Sequence, residues 1–413
     1  MFQKIERCRI CGNDQLVPVL NLGTQFLTGI FPKDKDQKIT AGPLELVQCS
    51  GDKGEVCGLL QLKHSFDLNE MYGENYGYRS GLNSSMIKHL QRKVAKILQI
   101  TKPVQGDLII DIGSNDSTLL RAYGDNGYVL MGIDPTGIKF KDFYPPYITL
   151  LTDFFSRDLV CRKFGPKKAK IVTSIAMFYD LESPLDFAQQ VCDVLADNGI
   201  WVFEQSYLPA MIERNAYDTI CHEHLEYYSL RQIKWICNKV GLEIIDAEEN
   251  DVNGGSFSIA VAKSGSQYTI NHSNLSKMEV REKYLYDERI FRKFRNRVFE
   301  HRDRLMEFIH ERNQMGELIL GYGASTKGNV ILQFCNLTSK NIPFIGEINP
   351  DKFGAFTPGT LIPIISEDEV KMMNPAFLMV LPWHFKNHIV ARESEYLKSG
   401  KRLLFPLPRI EML

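Results

Sequence analysis

Short, mostly apolar runs that carry an acidic or small residue at or next to their end recur through the middle of the chain. LIIDIG (Leu108 to Gly113), YVLMGID (ending at Asp134), KIVTSIA (Lys170 to Ala176) and GIWVFEQ (Gly199 to Gln205) are of this type, with a further strand-like run from Tyr147 to Leu151. Runs this short, bounded by turn residues, predict buried strands. The stretches between them, SNDSTLLRAY after the first run and a longer one through Val194, read as helices. Strand-helix alternation predicts a mostly parallel sheet covered by helices, with ligands at the carboxyl ends of the strands. Residues that follow each run are therefore the first candidates for function.

The pattern changes beyond Lys263, where a polar stretch leads into a charged segment from about Ser276 to Gln314, predicted as one long helix with a solvated face, a strut between domains. ELILGYGAS (Glu317 to Ser325) then repeats the strand-then-glycine pattern. TKGNVILQF reads as a helix, and IPFIGEINP, LIPIIS and AFLMVLP as further strands. A chain of 413 residues exceeds what one core organises. The expected class is α/β, with an N-terminal lobe (1–75), a central Rossmann-like domain (76–265) and a C-terminal Rossmann-like α/β domain (266–413).

Four of the nine cysteines fall in the first lobe. Cys8 and Cys11 form a CxxC, which sets two thiolates on one knuckle as a tetrahedral Zn2+ requires. Cys49 and Cys57 complete the set across an enlarged loop, SGDKGEV, that Gly51 and Gly54 make feasible. A closed four-thiolate shell has no open position, so the expected metal is structural. The other reading is four free cysteines in a small β-rich lobe.

The odd cysteine count and an N-terminus, MFQKIERCRICG, without an apolar core argue for reduced thiols and a cytoplasmic protein. No apolar run approaches a membrane span, and 49 Lys and Arg nearly balance 50 Asp and Glu. Neither a nucleic acid nor an anionic membrane is therefore expected as a partner.

At the first strand's exit, Asp111 and Gly113 stand where backbone amides approach a ligand, and Asp134 ends the next strand, where a carboxylate accepts from a ribose. Read otherwise, the two acids cap the helices that follow. Asn115 and Asp116 occupy positions that a GxGxxG fingerprint fills with glycine, so a pyrophosphate cofactor fits poorly. S-adenosylmethionine, a sulfonium without phosphates, fits better. Asp153 and Phe154, with Phe155 beside them, could bond and cover its adenine.

The densest chemistry lies in DTICHEHLEYYSL (Asp218 to Leu230), where His222 and His224 bracket Glu223 just after a strand. Imidazoles titrate near neutral pH, so the segment suits proton removal. In the last domain Gly321, Gly323, Ser325, Thr326 and Lys327 put amides, hydroxyls and an ammonium at a helix start, an arrangement that holds phosphate. Asn349, Trp383 and His384 follow later strands as candidate nucleotide contacts.

The CxxC opening, YGENYGYRSGLNSSM (Tyr72 to Met86), DIGSNDS, DTICHEHLEYYSL, NGGSF (Asn253 to Phe257) and GYGASTKGN resemble, in that order, the zinc-containing sugar C-methyltransferases. The resemblance covers essentially the whole chain. It implies S-adenosylmethionine-dependent methylation at C3 of a dTDP- or GDP-linked 4-keto-6-deoxyhexose through an enolate, in branched deoxysugar biosynthesis. His224 would take the C3 proton with Glu223 orienting it, and Tyr76 and His222 would contact the sugar or the enolate oxygen. Tyr78 joins the substrate contacts, on a loop shaped by Gly73, Gly77 and Gly81. Two departures stand out: Ser117 replaces a frequent glycine, where a serine can open a helix, and Cys221 replaces a tyrosine. An NAD-dependent epimerase or dehydratase and a non-catalytic zinc-ribbon interaction protein are the competing readings. The missing glycines count against the first, and the histidine-rich stretch against the second.

Overall fold

A computed structural model describes residues 2–51, 56–72, 78–287 and 289–413. Its central sheet has seven strands in the order Leu242–Asn250, Ser256–Lys263, Leu195–Ser206, Ala169–Ile175, Leu108–Ile112, Val129–Ile133 and Ile148–Leu151. The last five in that order run parallel, and Ser256–Lys263 is antiparallel to both neighbours. Each apolar run singled out in the sequence supplies one of the parallel strands. Leu242–Asn250 ends in acidic residues that are partly exposed on the sheet edge, which hides it from a search for uniformly apolar runs.

The C-terminal sheet has the order Ile364–Ser366, Ile345–Glu347, Ile319–Tyr322, Phe377–Val380, Arg402–Phe405 and Glu411–Met412, parallel except for the last pair. The expected strut differs in two ways. It is split into His272–Glu282 and Arg289–Gln314, and the Asp287 carboxylate caps the second piece by accepting from Arg289 N–H at 3.0 Å. Along that piece Phe291, Phe294, Val298, His301, Leu305 and Ile309 are buried, so one face belongs to the core and only the other is solvated. The helix expected after the first strand shrinks to Thr118–Arg121, and Ser117, at φ +61°, does not cap it. Its hydroxyl donates to Phe143 O at 2.8 Å instead.

In the N-terminal lobe, Leu16–Phe26, Ala41–Cys49 and Leu60–Leu62 form an antiparallel sheet whose fourth strand is Glu226–Tyr227, lent by the middle of the chain. Beneath it the sulfurs of Cys8, Cys11, Cys49 and Cys57 all lie within 4.8 Å of one another. Cys8 and Cys57 approach to 3.5 Å, and Cys11 and Cys49 to 3.4 Å. Four thiolates about 2.3 Å from a tetrahedral zinc stand roughly 3.8 Å apart, so the cluster fits a structural Zn2+. Hydrogen bonds from the Cys57 and Cys8 thiols pull Cys49 down to about 4, and the same network pushes Cys57 up, so the four sulfurs share protons that a metal ion would displace. Gly54, expected to ease the loop between the second pair, lies outside the described residues.

Leu60–Leu62 stands between Cys57 and the lent strand, so the metal should brace both. Cys57→Ser is expected to lose zinc, read as metal content per chain, and to lower the melting temperature by more than about 5 °C. A metal-free wild type that melts at the same temperature would contradict a structural role.

Candidate active site

Residues 218–230 are gripped from two sides at Leu225. Its N–H donates to Tyr179 O at 2.8 Å, just past the strand Ala169–Ile175, and its carbonyl accepts from Leu62 N–H of the N-terminal lobe at 2.8 Å. Leu208 N–H then bonds Tyr228 O at 2.9 Å and returns the chain to the central domain. The histidine-rich turn is thus suspended between two domains by backbone hydrogen bonds.

His224 is half-buried on this turn, with Nδ1 2.8 Å from Thr219 O. A carbonyl can only accept, so Nδ1 carries the proton and Nε2 keeps a lone pair with no hydrogen-bond partner among the described residues. Burial, reinforced by the charge of the Lys327 ammonium, holds the ring down to about 3. It is therefore neutral, and able to accept a proton, throughout the physiological range. Its ring meets that of Tyr179 edge-on with centroids 4.3 Å apart.

Glu223 and His222 differ from expectation. The orienting bond to His224 comes from a backbone carbonyl, not from Glu223, because neighbouring side chains on the turn diverge. Glu223 reaches the N-terminal lobe, where Thr28 Oγ1 donates to Oε2 at 3.4 Å and a Cβ added to Gly29 would come within 2.3 Å of Oε1. Burial pushes its carboxyl above the usual range. His222 is wholly buried, edge-on to Phe66 at 4.6 Å, and is pulled down to about 4 by burial. It packs the lobe, so the expected contact with a sugar is corrected to a structural role. Cys221 is also wholly buried, and burial pushes its thiol up. Two groups that the sequence reading passed over stand nearby: Tyr179, and Asp180, whose Oδ2 accepts from Tyr72 at 2.8 Å while Oδ1 has no partner among the described residues. Both follow a strand's carboxyl end, a signal that could have found them.

The candidate cofactor turn follows the strand Leu108–Ile112. Gly113 adopts φ +72°, and a Cβ there would meet Met177 at 3.2 Å. Met177, against this glycine, and Tyr179, against His224, are two residues apart, which spans at most about 7 Å of extended chain. The turn and the candidate base therefore both pack against the short segment Met177–Tyr179. Asp134 is buried; it accepts from Asn115 N–H at 2.7 Å on one oxygen and from Thr136 N–H and Oγ1 at 2.7 and 2.6 Å on the other. A carboxylate has about four acceptor sites, so roughly one is left for a ribose hydroxyl. Asp111 accepts from Thr173 Oγ1 at 2.6 Å, and burial pushes it up to about 7. These residues fit an adenosyl cofactor without phosphates. The Asn115 side chain has another use, accepting from Ser80 N–H at 2.9 Å and donating to Tyr78 O at 3.1 Å, which ties the backbone of residues 78–80 to the turn. Tyr78 is largely exposed, and Tyr76 lies outside the described residues. Asp153 and Phe154 are exposed just past Ile148–Leu151, with Asp153 accepting from Phe154 N–H at 2.8 Å.

The C-terminal domain reaches the central domain through Lys327 and Trp383. Lys327 Nζ donates to Asn253 O at 2.7 Å, in the NGGSF stretch, and Ser325 caps the helix Thr326–Phe334 by accepting from Gly328 N–H at 3.0 Å. Lys327 is the charge that depresses His224, and it acts on His384 as well. Gly254, at φ +91°, leaves room for Trp383 and His384, which a Cβ would meet at 3.5 and 3.6 Å. Trp383 Nε1 donates to Asp218 Oδ2 at 2.7 Å. Asn349 uses its side chain to cap the turn Pro350–Lys352, accepting from Asp351 N–H at 3.1 Å. Glu347, absent from the expected set, instead meets the glycine turn, accepting from Ala324 N–H at 2.8 Å.

Family models match the chain in three consecutive parts: a putative zinc binding domain over residues 8–72, a methyltransferase domain over 82–247 and a C-methyltransferase C-terminal domain over 251–408. The C-methyltransferase NovU of Streptomyces niveus is 27% identical over 414 residues, covering 99% of this chain and 97% of that protein. Among solved structures, a putative S-adenosylmethionine dependent methyltransferase from Listeria monocytogenes is similar over 43% of this chain and 99% of its own, at 13% identity and a TM-score of 0.35. Magnesium protoporphyrin IX methyltransferase (ChlM) from Synechocystis PCC 6803 is similar over 43% of this chain and 85% of its own, at 14% identity and a TM-score of 0.34. With a four-cysteine lobe, a cofactor turn and a C-terminal domain in the order of those models, and a C-methyltransferase matched from end to end, the chain belongs to the zinc-containing, S-adenosylmethionine-dependent C-methyltransferases.

Proposed function

We propose that the protein methylates C3 of a nucleotide-linked 4-keto-6-deoxyhexose, with His224 as the base. The observation that carries this reading is the free Nε2 of a neutral, carbonyl-oriented imidazole packed on the same Met177–Tyr179 segment that the Gly113 turn meets. S-adenosylmethionine, held by the Gly113 turn and Asp134, supplies the methyl group as a sulfonium. His224 Nε2 takes the proton on C3, and the electron pair left behind is delocalised into the C4 carbonyl as an enolate. Bound there, the sulfonium would supply its methyl to that carbon and leave as a neutral thioether. Lys327, a half-buried lysine at a helix start, is suited to the anionic diphosphate of a dTDP or GDP sugar. Positioning is the protein's main contribution, with the Thr219 carbonyl setting the base and Asn253 the ammonium.

His224→Asn is expected to lower turnover about 10³-fold and to stop C3 deuterium exchange in D2O, while the Kd for S-adenosylmethionine stays within about twofold. Full activity would remove His224 from the base role. Asp134→Ala should weaken S-adenosylmethionine by at least about tenfold in calorimetry, and stabilisation by S-adenosylhomocysteine but not NAD should appear in thermal shift. The pH dependence follows from the Lys327 charge, which lowers the basicity of His224 in the free protein. An anion bound at Lys327 offsets that charge, so the acidic limb of kcat should lie at higher pH than that of kcat/KM. Coincident limbs would argue against an anionic handle there.

A further inference from the structure

Three consecutive residues, Tyr217–Thr219, form a 3-10 turn that is wholly or almost wholly buried. The first two are fastened to the C-terminal domain. Tyr217 Oη lies 3.2 Å from His301 Nδ1 on the helix Arg289–Gln314, and Asp218 Oδ2 accepts the indole proton of Trp383 at 2.7 Å. The third holds the base, its carbonyl accepting from His224 Nδ1 at 2.8 Å. We infer that Asp218 is a positioning residue for the methyl transfer: its bond to Trp383 fixes the turn whose next carbonyl sets the tautomer and aim of His224.

Packing alone does not account for a carboxylate here. Asp218 is fully buried, and its Oδ1 has no hydrogen-bond partner among the described residues. An amide or an apolar side chain would fill the space without the desolvation that a carboxylate suffers. What the carboxylate adds is a strong acceptor for an indole, a group that can only donate. Burial pushes the Asp218 carboxyl above the usual range, and the nearby Lys327 ammonium draws it partly back toward its charged form. Through this link the base is seated only when the C-terminal domain, which carries both Trp383 and Lys327, is docked. The inference rests on the reading of His224 as the base.

The test uses the full zinc-loaded chain. Nitrogen NMR of labelled histidines, without substrate, should show His224 in wild type with Nδ1 protonated and Nε2 bare. Asp218→Ala and Trp383→Phe should each shift it toward a mixture of tautomers, whereas Asp218→Asn, whose amide oxygen still accepts from the indole, should keep the wild-type form. With a nucleotide 4-keto-6-deoxyhexose, Asp218→Ala should lose about 10²-fold in kcat with KM for the sugar within about threefold. Asp218→Asn should recover at least about tenfold of that loss. The double variant Asp218→Ala with Trp383→Phe should be no slower than the worse single variant. An unchanged His224 tautomer in both Asp218→Ala and Trp383→Phe, or losses that multiply in the double variant, would overturn the inference. If Asp218→Ala fails to fold, Trp383→Phe and Asp218→Asn decide it by the same tautomer readout. A wild type that methylates no such sugar would sink the proposed function instead, and leave the tautomer result standing.

Discussion

A residue offers the chain one backbone donor and one acceptor, and Leu225 uses both to join the four-cysteine lobe to the domain that carries the Gly113 turn. The rest of the site depends on this suspension. Each such bond contributes only about 1 kcal/mol net, so the bridge holds because the side chains around it, Leu225, Tyr227 and Tyr228, are buried and keep water from competing. With the backbone pinned there, the preceding turn has little freedom, and Thr219 and His224 meet at hydrogen-bond distance.

The two Rossmann-like sheets share one device. In each, the first glycine-containing turn presents a backbone N–H to a carboxylate that ends the neighbouring strand: Asn115 to Asp134 at 2.7 Å, and Ala324 to Glu347 at 2.8 Å. A buried carboxylate needs donors, and a turn with unpaired amides supplies them, so each stabilises the other. The same pairing keeps the turn in shape for whatever ligand the remaining acceptor site and amides receive.

Much of the architecture was legible because strands buried on both faces, such as Leu108–Ile112, must be apolar throughout. The four cysteines were legible for a similar reason, since few other patterns tolerate a CxxC beside a further thiol pair. What escaped was carried by backbone or by context. The group that orients His224 is a carbonyl, which no side-chain pattern reveals, and His222 looks as reactive as His224 until packing buries it against Phe66. The split in the charged helix rests on the side chain of Asp287 competing for backbone donors. Ser117, expected to open a helix, sits in a left-handed conformation with its hydroxyl turned to Phe143.

The strand Glu226–Tyr227, paired to Leu60–Leu62, also governs the order of assembly during synthesis. The amino-terminal sheet emerges from the ribosome long before its last member and waits with an open edge, a surface prone to wrong pairing. A nascent chain halted before residue 226 would be the most aggregation-prone form of this molecule, and cutting the gene after the first lobe would make that state permanent.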